Sequence, residues 1–394
     1  MVVGASLAGV RCVEALRRNG ASGPITLIGN ESERPYDRPP LSKQYLLGSV
    51  GTDRLWLQRS DAAMDELGVE FRAGVEALSV DVAAKSLLTT HGEVSFDGLV
   101  VATGTSVRRL PHPDDAAVFF LRTKSDADTL APRLVRGARV VVVGAGFIGS
   151  EVASSASTNG CDVTVVEAAP IPLERQLGAK MGSACSSLHE RHGVRLLAGV
   201  GVASIGSSSI TLTDGRELVA DVIVVGIGVA PNTGWLAGSG IGIDDGVVCD
   251  ATCRVQTADG TALDHVVSCG DVARWPNELF DETMRIEHWT NAVEMSAHAA
   301  ETLLGARQPF SPVPYFWSDQ YGVKIQFFGR STKFDEVRVV DGDPANGAGV
   351  ALYRRGDRLI GVLGLNRMRA VIGLRGLLAE RASWGDALAQ ATVS

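Results

Sequence analysis

The chain has 394 residues, 45% of them hydrophobic and 21% charged, with a formal net charge of -8 at pH 7. That length suits two or three domains with real cores, the acidic balance disfavours a general nucleic-acid binder, and no apolar run is long enough to span a bilayer. No export signal is visible at the N-terminus, and the six cysteines (12, 161, 185, 249, 253 and 269) show neither a Cys-x-x-Cys pair nor zinc spacing, so no metal site is read and buried thiols in a reducing cytoplasm are expected.

The first element is "MVVGASLAGVRCVEALRRNGASGPITLIGNE". A short apolar strand enters Gly4-x-Ser6-x-x-Gly9, a helix follows with Leu7, Val10, Val13 and Leu16 near one face, and "PITLIG" forms a second strand that leads to Glu31. Strand, glycine turn, helix, strand and acid is the order a dinucleotide requires. The first glycine makes the tight turn, the second admits the pyrophosphate, and the third lets helix and strand pack closely. The helix N-terminus carries roughly +0.5 charge and free N–H groups for the phosphates. The acid accepts hydrogen bonds from ribose hydroxyls. Ser6 stands where glycine is expected. Only Met1, Val2 and Val3 precede Gly4, so a natural start a few residues earlier is expected.

Next comes "PYDRPPLSKQYL", residues 36 to 47, which contains no cysteine. "VVATGTSVRRLP" (100 to 111) is an apolar strand running into Thr103-Gly104. A second full copy of the dinucleotide pattern follows in "RVVVVGAGFIGSEVASSASTNGCDVTVVE", with its turn at Gly144-x-Gly146-x-x-Gly149 and its acid at Glu167. Glu167 argues for NADH over NADPH: one unit charge pair at about 4 Å and an effective dielectric near 20 interacts by about 4 kcal/mol, and a 2′-phosphate carries nearly two charges. Arg175, eight residues on, softens that repulsion. "LDHVVSCGDVARWP" (263 to 276) is an apolar strand ending at Gly270-Asp271, with a helix expected after it. An Asp in that place is either a helix N-cap or a partner for a ribityl hydroxyl; beside two nucleotide patterns the second role is favoured. Two dinucleotide patterns imply two dinucleotides, and FAD with a nicotinamide is the usual pairing for hydride chemistry.

On these segments, and on "FFLRTKSDA", "GIGVAPN", "EHWTNA" and "YFWSDQYGVKIQFFG", the chain resembles almost end to end the NADH-dependent, FAD-containing ferredoxin reductases of bacterial oxygenase systems. Rubredoxin reductases and apoptosis-inducing factors are similar relatives. The resemblance implies an α/β, glutathione-reductase-like fold with two Rossmann-type dinucleotide-binding domains. The FAD domain would be residues 1-112 and 244-318, the NAD domain 113-243, and a C-terminal α+β domain 319-394.

The resemblance also implies roles. Gly4, Ser6, Leu7, Ala8, Gly9 and Glu31 would hold FAD, together with Ala77, Ala102, Thr103, Gly104, Gly270 and Asp271. Arg38 and Arg122 match positions that touch its phosphates or ring, and Trp289 and Trp317 match aromatics near the isoalloxazine. Read without the resemblance, both tryptophans are packing residues. Lys43 would lie near flavin N5 and pair with Glu151, a cation there favouring the reduced anion; the plainer reading is two solvated charges. Gly144, Gly146, Gly149, Glu167, Arg175 and Gly228 would hold NAD, with Phe147, Ile148 and Glu287 on the nicotinamide side.

Disulfide-reducing relatives carry a cysteine pair after the FAD acid, and peroxide-reducing relatives keep one. Residues 36 to 47 have neither, and Cys12 lies on the first helix. Hydride from NADH would therefore reach the flavin, and single electrons would leave it directly for a small 2Fe-2S ferredoxin docked near Trp317. That ferredoxin would feed a haem monooxygenase or a ring-hydroxylating dioxygenase. A local basic surface is needed for docking, from Arg354, Arg355 and Arg358 or from Arg367, Arg369 and Arg375. A monomer or weak dimer is expected, with no nucleic-acid or membrane partner. The missing cysteine disfavours a thiol- or peroxide-linked oxidoreductase. The acidic charge and the lack of a targeting segment disfavour a redox-switched FAD/NADH-binding protein resembling apoptosis-inducing factor.

Overall fold

Runs of β-branched residues nucleate both central sheets, because such side chains fit a buried pleated surface. In the computed structural model, which describes residues 1–57 and 62–391, the chain gathers into two units built from separated segments. Residues 1–37, 52–106 and 230–314 form the first, and 38–51, 107–229 and 315–394 the second.

In the first unit, β1 (Val2–Val3) is central although it has only two residues. Val2 and Val3 pair in parallel with Leu27 and Ile28 of β2 (Ile25–Gly29) on one side and with Val100 and Val101 on the other. The six-stranded sheet runs 254–256, 262–268, 99–101, β1, β2, 69–73. Helix α1 (Leu7–Arg18) buries Leu7, Val10, Val13 and Leu16, the face expected from the sequence, and Cys12 besides, and lies against the helix Trp289–Leu303.

The second unit repeats the plan. β3 (Arg139–Val143), α2 (Phe147–Thr158) and β4 (Asp162–Glu167) belong to a five-stranded parallel sheet ordered 195–198, β4, β3, 222–225, 118–119. Val152, Ala153 and Ala156 of α2 pack on Val140, Val142, Val163 and Val165, each such valine contributing about 1.5–3 kcal/mol when fully buried. Helix α3 (Glu174–Arg191) follows. The C-terminal segment makes a five-stranded antiparallel sheet beginning with β5 (Tyr315–Gln320) and β6 (Val323–Gly329), then helices Met368–Ala379 and Trp384–Ala391.

The β5–β6 hairpin turns through Tyr321 (φ 53°) and Gly322 (φ 74°), the positive-φ pair that a two-residue turn needs. Tyrosine is held there from two sides: its N–H donates to Ser154 Oγ at 2.7 Å, and its hydroxyl meets His189 Nδ1 at 2.7 Å.

The helix expected after Asp271 does not form. A single 3-10 turn, Gly270–Val272, leads into the strand Ala273–Asn277, which pairs with Glu282–Arg285. Pro276 sits inside that strand and would break a helix interior. Among the described residues no helix is long and apolar enough to cross a membrane.

Candidate active site

The first turn is built of backbone against backbone. Gly4 has φ +113°, and a Cβ there would lie 2.1 Å from the Ala102 carbonyl oxygen; a Cβ on Gly9 would lie 1.9 Å from the Gly4 oxygen. Only glycine is admitted at either place. Ser6 is the N-cap of α1, so the N–H groups of Leu7, Ala8 and Gly9 precede the first possible intrahelical acceptor. Gly270 (φ +75°) comes so near that its Cβ would be 2.9 Å from the Ala8 Cβ. Asp271 thereby stands at the helix mouth, where Thr105 Oγ1 donates to its Oδ2 at 3.3 Å. Glu31 lies two residues past β2 and accepts from the Tyr36 hydroxyl at 2.5 Å. Thr103 and Asn232 exchange two side chain–backbone bonds of 2.8 Å, which set the loop ahead of Gly104 (φ +63°). A glycine cradle, free helical N–H groups and two carboxylates already oriented by hydroxyls suit an adenine dinucleotide. Ala77 opens a strand of a separate small sheet. Trp289 heads its helix and donates from Nε1 to Asp37 at 2.7 Å, while Glu287 is paired to Arg285 at 2.6 Å.

The second turn has the same close approaches. Gly144 has φ +102° with its Cβ 2.4 Å from the Gly226 oxygen, and the Gly149 Cβ would be 2.0 Å from the Gly144 oxygen. Gly146 differs from Ser6: it faces open space, with nothing within 4 Å of an added Cβ. Both Glu167 oxygens are engaged by backbone, Oε2 by Ala145 N–H and Oε1 by Ala169 N–H, each at 2.8 Å. The carboxylate is therefore held at the strand end beside the turn. Phe147 packs on Phe316 at 4.8 Å, Ile148 is half exposed and Arg175 is exposed. Gly228 (φ +96°) accepts from Arg108 N–H at 2.9 Å. Arg38 donates to the Arg122 carbonyl at 2.6 Å.

Lys43 and Glu151 do meet. Lys43 Nζ lies 2.6 Å from Glu151 Oε2, with the lysine 11% and the glutamate 2% exposed. This is a buried pair rather than two solvated charges, and removing one partner of such a pair costs about 3–5 kcal/mol. Lys43 arrives on a 3-10 turn started by Pro39-Pro40 and also donates to Pro39 O at 3.0 Å. Glu151 sits on α2, two residues past Gly149. Two further donors reach it: Ser42 Oγ to Oε2 at 2.5 Å and Ser318 Oγ to Oε1 at 2.6 Å. Sequence reading missed Ser42, Ser318 and the Gln320 behind it, as well as Tyr36 and Thr105. The one sequence signal is their alternation with Phe316 in "YFWSDQ"; the structure shows Ser318 and Gln320 to be the two buried positions of β5, where polar residues need partners.

Trp317, on the other face of β5, stacks on Tyr315 at 6.0 Å and 25°. The two arginine clusters are less free than expected. Arg354 pairs with Glu336 (3.2 Å), Arg355 and Arg358 face each other across a hairpin, Arg367 pairs with Asp341 (2.8 Å), and Arg375 lies 5.5 Å above the Phe328 ring. Arg369 is exposed beside Met368 and Ile372, which are also exposed.

All six cysteines are free. Cys12, hydrogen-bonded to Cys269 and buried, has its thiol held well above the ordinary range; burial alone pushes Cys185 up to about 12 and raises Cys161, while burial and then nearby charges raise Cys249 and Cys253. Thiol relays run on thiolates, which these surroundings disfavour at five of the six cysteines; Cys269 alone is lowered, chiefly by its hydrogen bond with Cys12. Beneath α2, His189 is buried and pushed down to about 4, by burial first and then by His192.

Comparison with known proteins agrees with this geometry. The family described as pyridine nucleotide-disulphide oxidoreductase matches residues 1–296, and the reductase C-terminal family matches residues 315–393. The chain is 38% identical over 390 residues to the anthranilate 1,2-dioxygenase system ferredoxin–NAD(+) reductase component of Burkholderia cepacia, covering 97% of this chain and 94% of that one. It is 32% identical over 380 residues to the putidaredoxin reductase of Pseudomonas putida, covering 93% and 88%. The crystal structure of the covalent putidaredoxin reductase–putidaredoxin complex superposes with a TM-score of 0.91 at 29% identity, covering 100% of this chain and 97% of that one. The chain belongs to the pyridine nucleotide-disulphide oxidoreductase family, as an FAD- and NAD(P)H-using oxidoreductase of glutathione-reductase-like α/β fold that carries the reductase C-terminal domain.

Proposed function

We propose that this oxidoreductase passes electrons from NADH to a small 2Fe-2S ferredoxin serving a haem monooxygenase or a ring-hydroxylating dioxygenase. The observation that carries the reading is the buried Lys43–Glu151 pair in a segment with no thiol. When bound, FAD supplies the conversion of a two-electron hydride into single electrons. Gly4, Ser6, Leu7, Ala8 and Gly9 would take its pyrophosphate, Glu31 its ribose and Asp271 its ribityl chain. Ala77, Ala102, Thr103, Gly104, Arg38 and Arg122 would complete the contacts, with Trp289 and Trp317 beside the ring. Lys43, set by Glu151, would hold a positive charge at N5. Gly144, Gly146, Gly149 and Gly228 would seat NADH; Phe147, Ile148 and Glu287 would face its nicotinamide; and Glu167 would repel a 2′-phosphate, tempered by Arg175. Three functional parts would cut across the two units: FAD (1-112 and 244-318), NAD (113-243) and C-terminal (319-394). Six free thiols support a reducing cytoplasm. With Arg354 and Arg367 tied to acids, Arg369 is the cation we assign to ferredoxin docking, in a monomer or weak dimer.

The test is anaerobic NADH-driven reduction of a panel of small 2Fe-2S ferredoxins at low ionic strength, with a rubredoxin and peroxide as alternative acceptors. At least one ferredoxin should be reduced in preference to the others. Turnover with peroxide alone would overturn the reading. Lys43→Ala should slow flavin reduction by NADH ~100-fold, the scale of losing a preorganised charge at a reacting atom; an unchanged stopped-flow rate would remove Lys43 from N5.

A further inference from the structure

Behind Glu151 lies a polar strap on β5, Gln320 to Ser318 to the carboxylate. Gln320, 1% exposed, donates from Nε2 to Ser318 Oγ at 3.0 Å, and Ser318, 0% exposed, donates to Glu151 Oε1 at 2.6 Å. The order of donors is forced. The Gln320 NH2 group only donates, so it occupies a lone pair of the Ser318 hydroxyl, whose single hydrogen then goes to Glu151. On the other oxygen, Oε2 receives Lys43 Nζ and Ser42 Oγ. Glu151 is thus clamped at both oxygens. One clamp comes from the segment that carries Lys43, and the other from the C-terminal sheet, 167 residues away in sequence. A carboxylate held at one oxygen only can rotate, and Lys43 follows its partner because a charge pair with 2% exposure on the acid side has little water to turn to.

We propose that Ser318, oriented by Gln320, is a positioning residue for the Lys43–Glu151 pair, so that β5, the strand that opens the reductase C-terminal match at residues 315–393, sets the lysine's place. The proposal rests on the reading that Lys43 acts on the flavin. Strand alternation adds a consequence. Ser318 and Gln320 face Glu151 while Trp317 and Asp319 take the opposite face of the same strand, so displacement of β5 at Trp317 moves the clamp.

The experiment uses the full-length holoenzyme with Ser318→Ala, Ser318→Thr and Gln320→Met. Three quantities are read: acetic anhydride labelling of Lys43 by mass spectrometry, the midpoint potential of the bound flavin, and the rate of its reduction by NADH. Ser318→Ala should raise Lys43 labelling and lower the potential in the same direction as Lys43→Ala. It should slow reduction ~10-fold with KM for NADH unchanged, the scale of a misplacement rather than a loss. Ser318→Thr, which keeps the hydroxyl, should restore all three. Gln320→Met frees the hydroxyl without removing it; it should give smaller shifts of the same sign and carries the test if Ser318→Ala does not fold. Unchanged labelling and potential in the variants that fold overturn the proposal. Raised labelling with unchanged potential supports the clamp and instead overturns the placement of Lys43 at the flavin.

Discussion

The two glycine turns of this chain are nearly superimposable in what they forbid and different in what they leave open. In both, the first glycine has φ above +100° and would clash with a neighbouring strand's carbonyl at 2.1 or 2.4 Å. In both, the third would clash with the first at 1.9 or 2.0 Å. These outer glycines are therefore packing devices that let a helix start directly against a sheet. The middle position and the acid differ. Both middle residues are the N-cap of their helix, but Ser6 carries a side chain whereas Gly146 has none and faces open space; Glu31 is set by a tyrosine hydroxyl whereas Glu167 is gripped at both oxygens by backbone. Discrimination between two dinucleotides has to reside in the features that differ.

The comparison breaks most readily at the outer glycines. Gly9→Ala and Gly149→Ala should each cost about 3 kcal/mol or more, as overpacking against rigid backbone does, measured by chemical denaturation. Gly9→Ala should also lose FAD, whereas Gly149→Ala should keep its flavin and lose NADH-dependent reduction; equal flavin loss in both would undo the division of labour.

Acid should reveal the next difference. α2 rests on a buried polar chain, Ser150 to His189 to Tyr321, while α1 rests on Val10, Val13 and Leu16. His189 is lowered from 6.5 to about 4 when folded. Between those values the unfolded chain binds the extra proton, so the stabilisation is complete above pH 6.5 and is lost as pH falls toward 4. The loss reaches about 3 kcal/mol. Hydrogen exchange should show the second unit opening first on acidification, and His189→Gln should flatten that slope.

At the acids, Glu167→Gln should improve kcat/KM for NADPH ~10- to 100-fold, since screening takes up part of the Coulomb repulsion. NADH should change little. A wild-type preference for NADPH would refute the charge argument outright.

The smallest effects are expected at the middle positions. Ser6 makes no side-chain cap hydrogen bond, so Ser6→Gly should cost at most a few tenths of a kcal/mol, with FAD retained. In Gly146→Ser the added Cβ meets nothing within 4 Å, so its melting curve should match wild type while KM for NADH rises. A stability loss in Gly146→Ser would show that the middle position of the second turn is not open.

Much of the site could be read from local pattern. Both turns, both acids and the strands and helices around them follow periodicities confined to some 30 residues, and residues 139–167 fold as read. The pairing of Lys43 with Glu151 came from resemblance alone, and the structure brings them to 2.6 Å. The helix expected after Asp271 was misread because a glycine–aspartate at a strand end is an N-cap signal, and the pairing partner at 282–285 that turns the next segment into a strand lies outside any local window. The arginine clusters looked free for the same reason: Asp341, the partner of Arg367, is 26 residues away.

The sequence by itself determined where backbone must come close to backbone, because only glycine tolerates those approaches and its spacing is written in one dimension. It also determined that no thiol lies in residues 36 to 47. Tertiary structure alone decided which charges are spoken for. Glu151 is held by groups 108, 109 and 167 residues away, and a carboxylate chooses among donors by distance in space, for which sequence separation carries no signal.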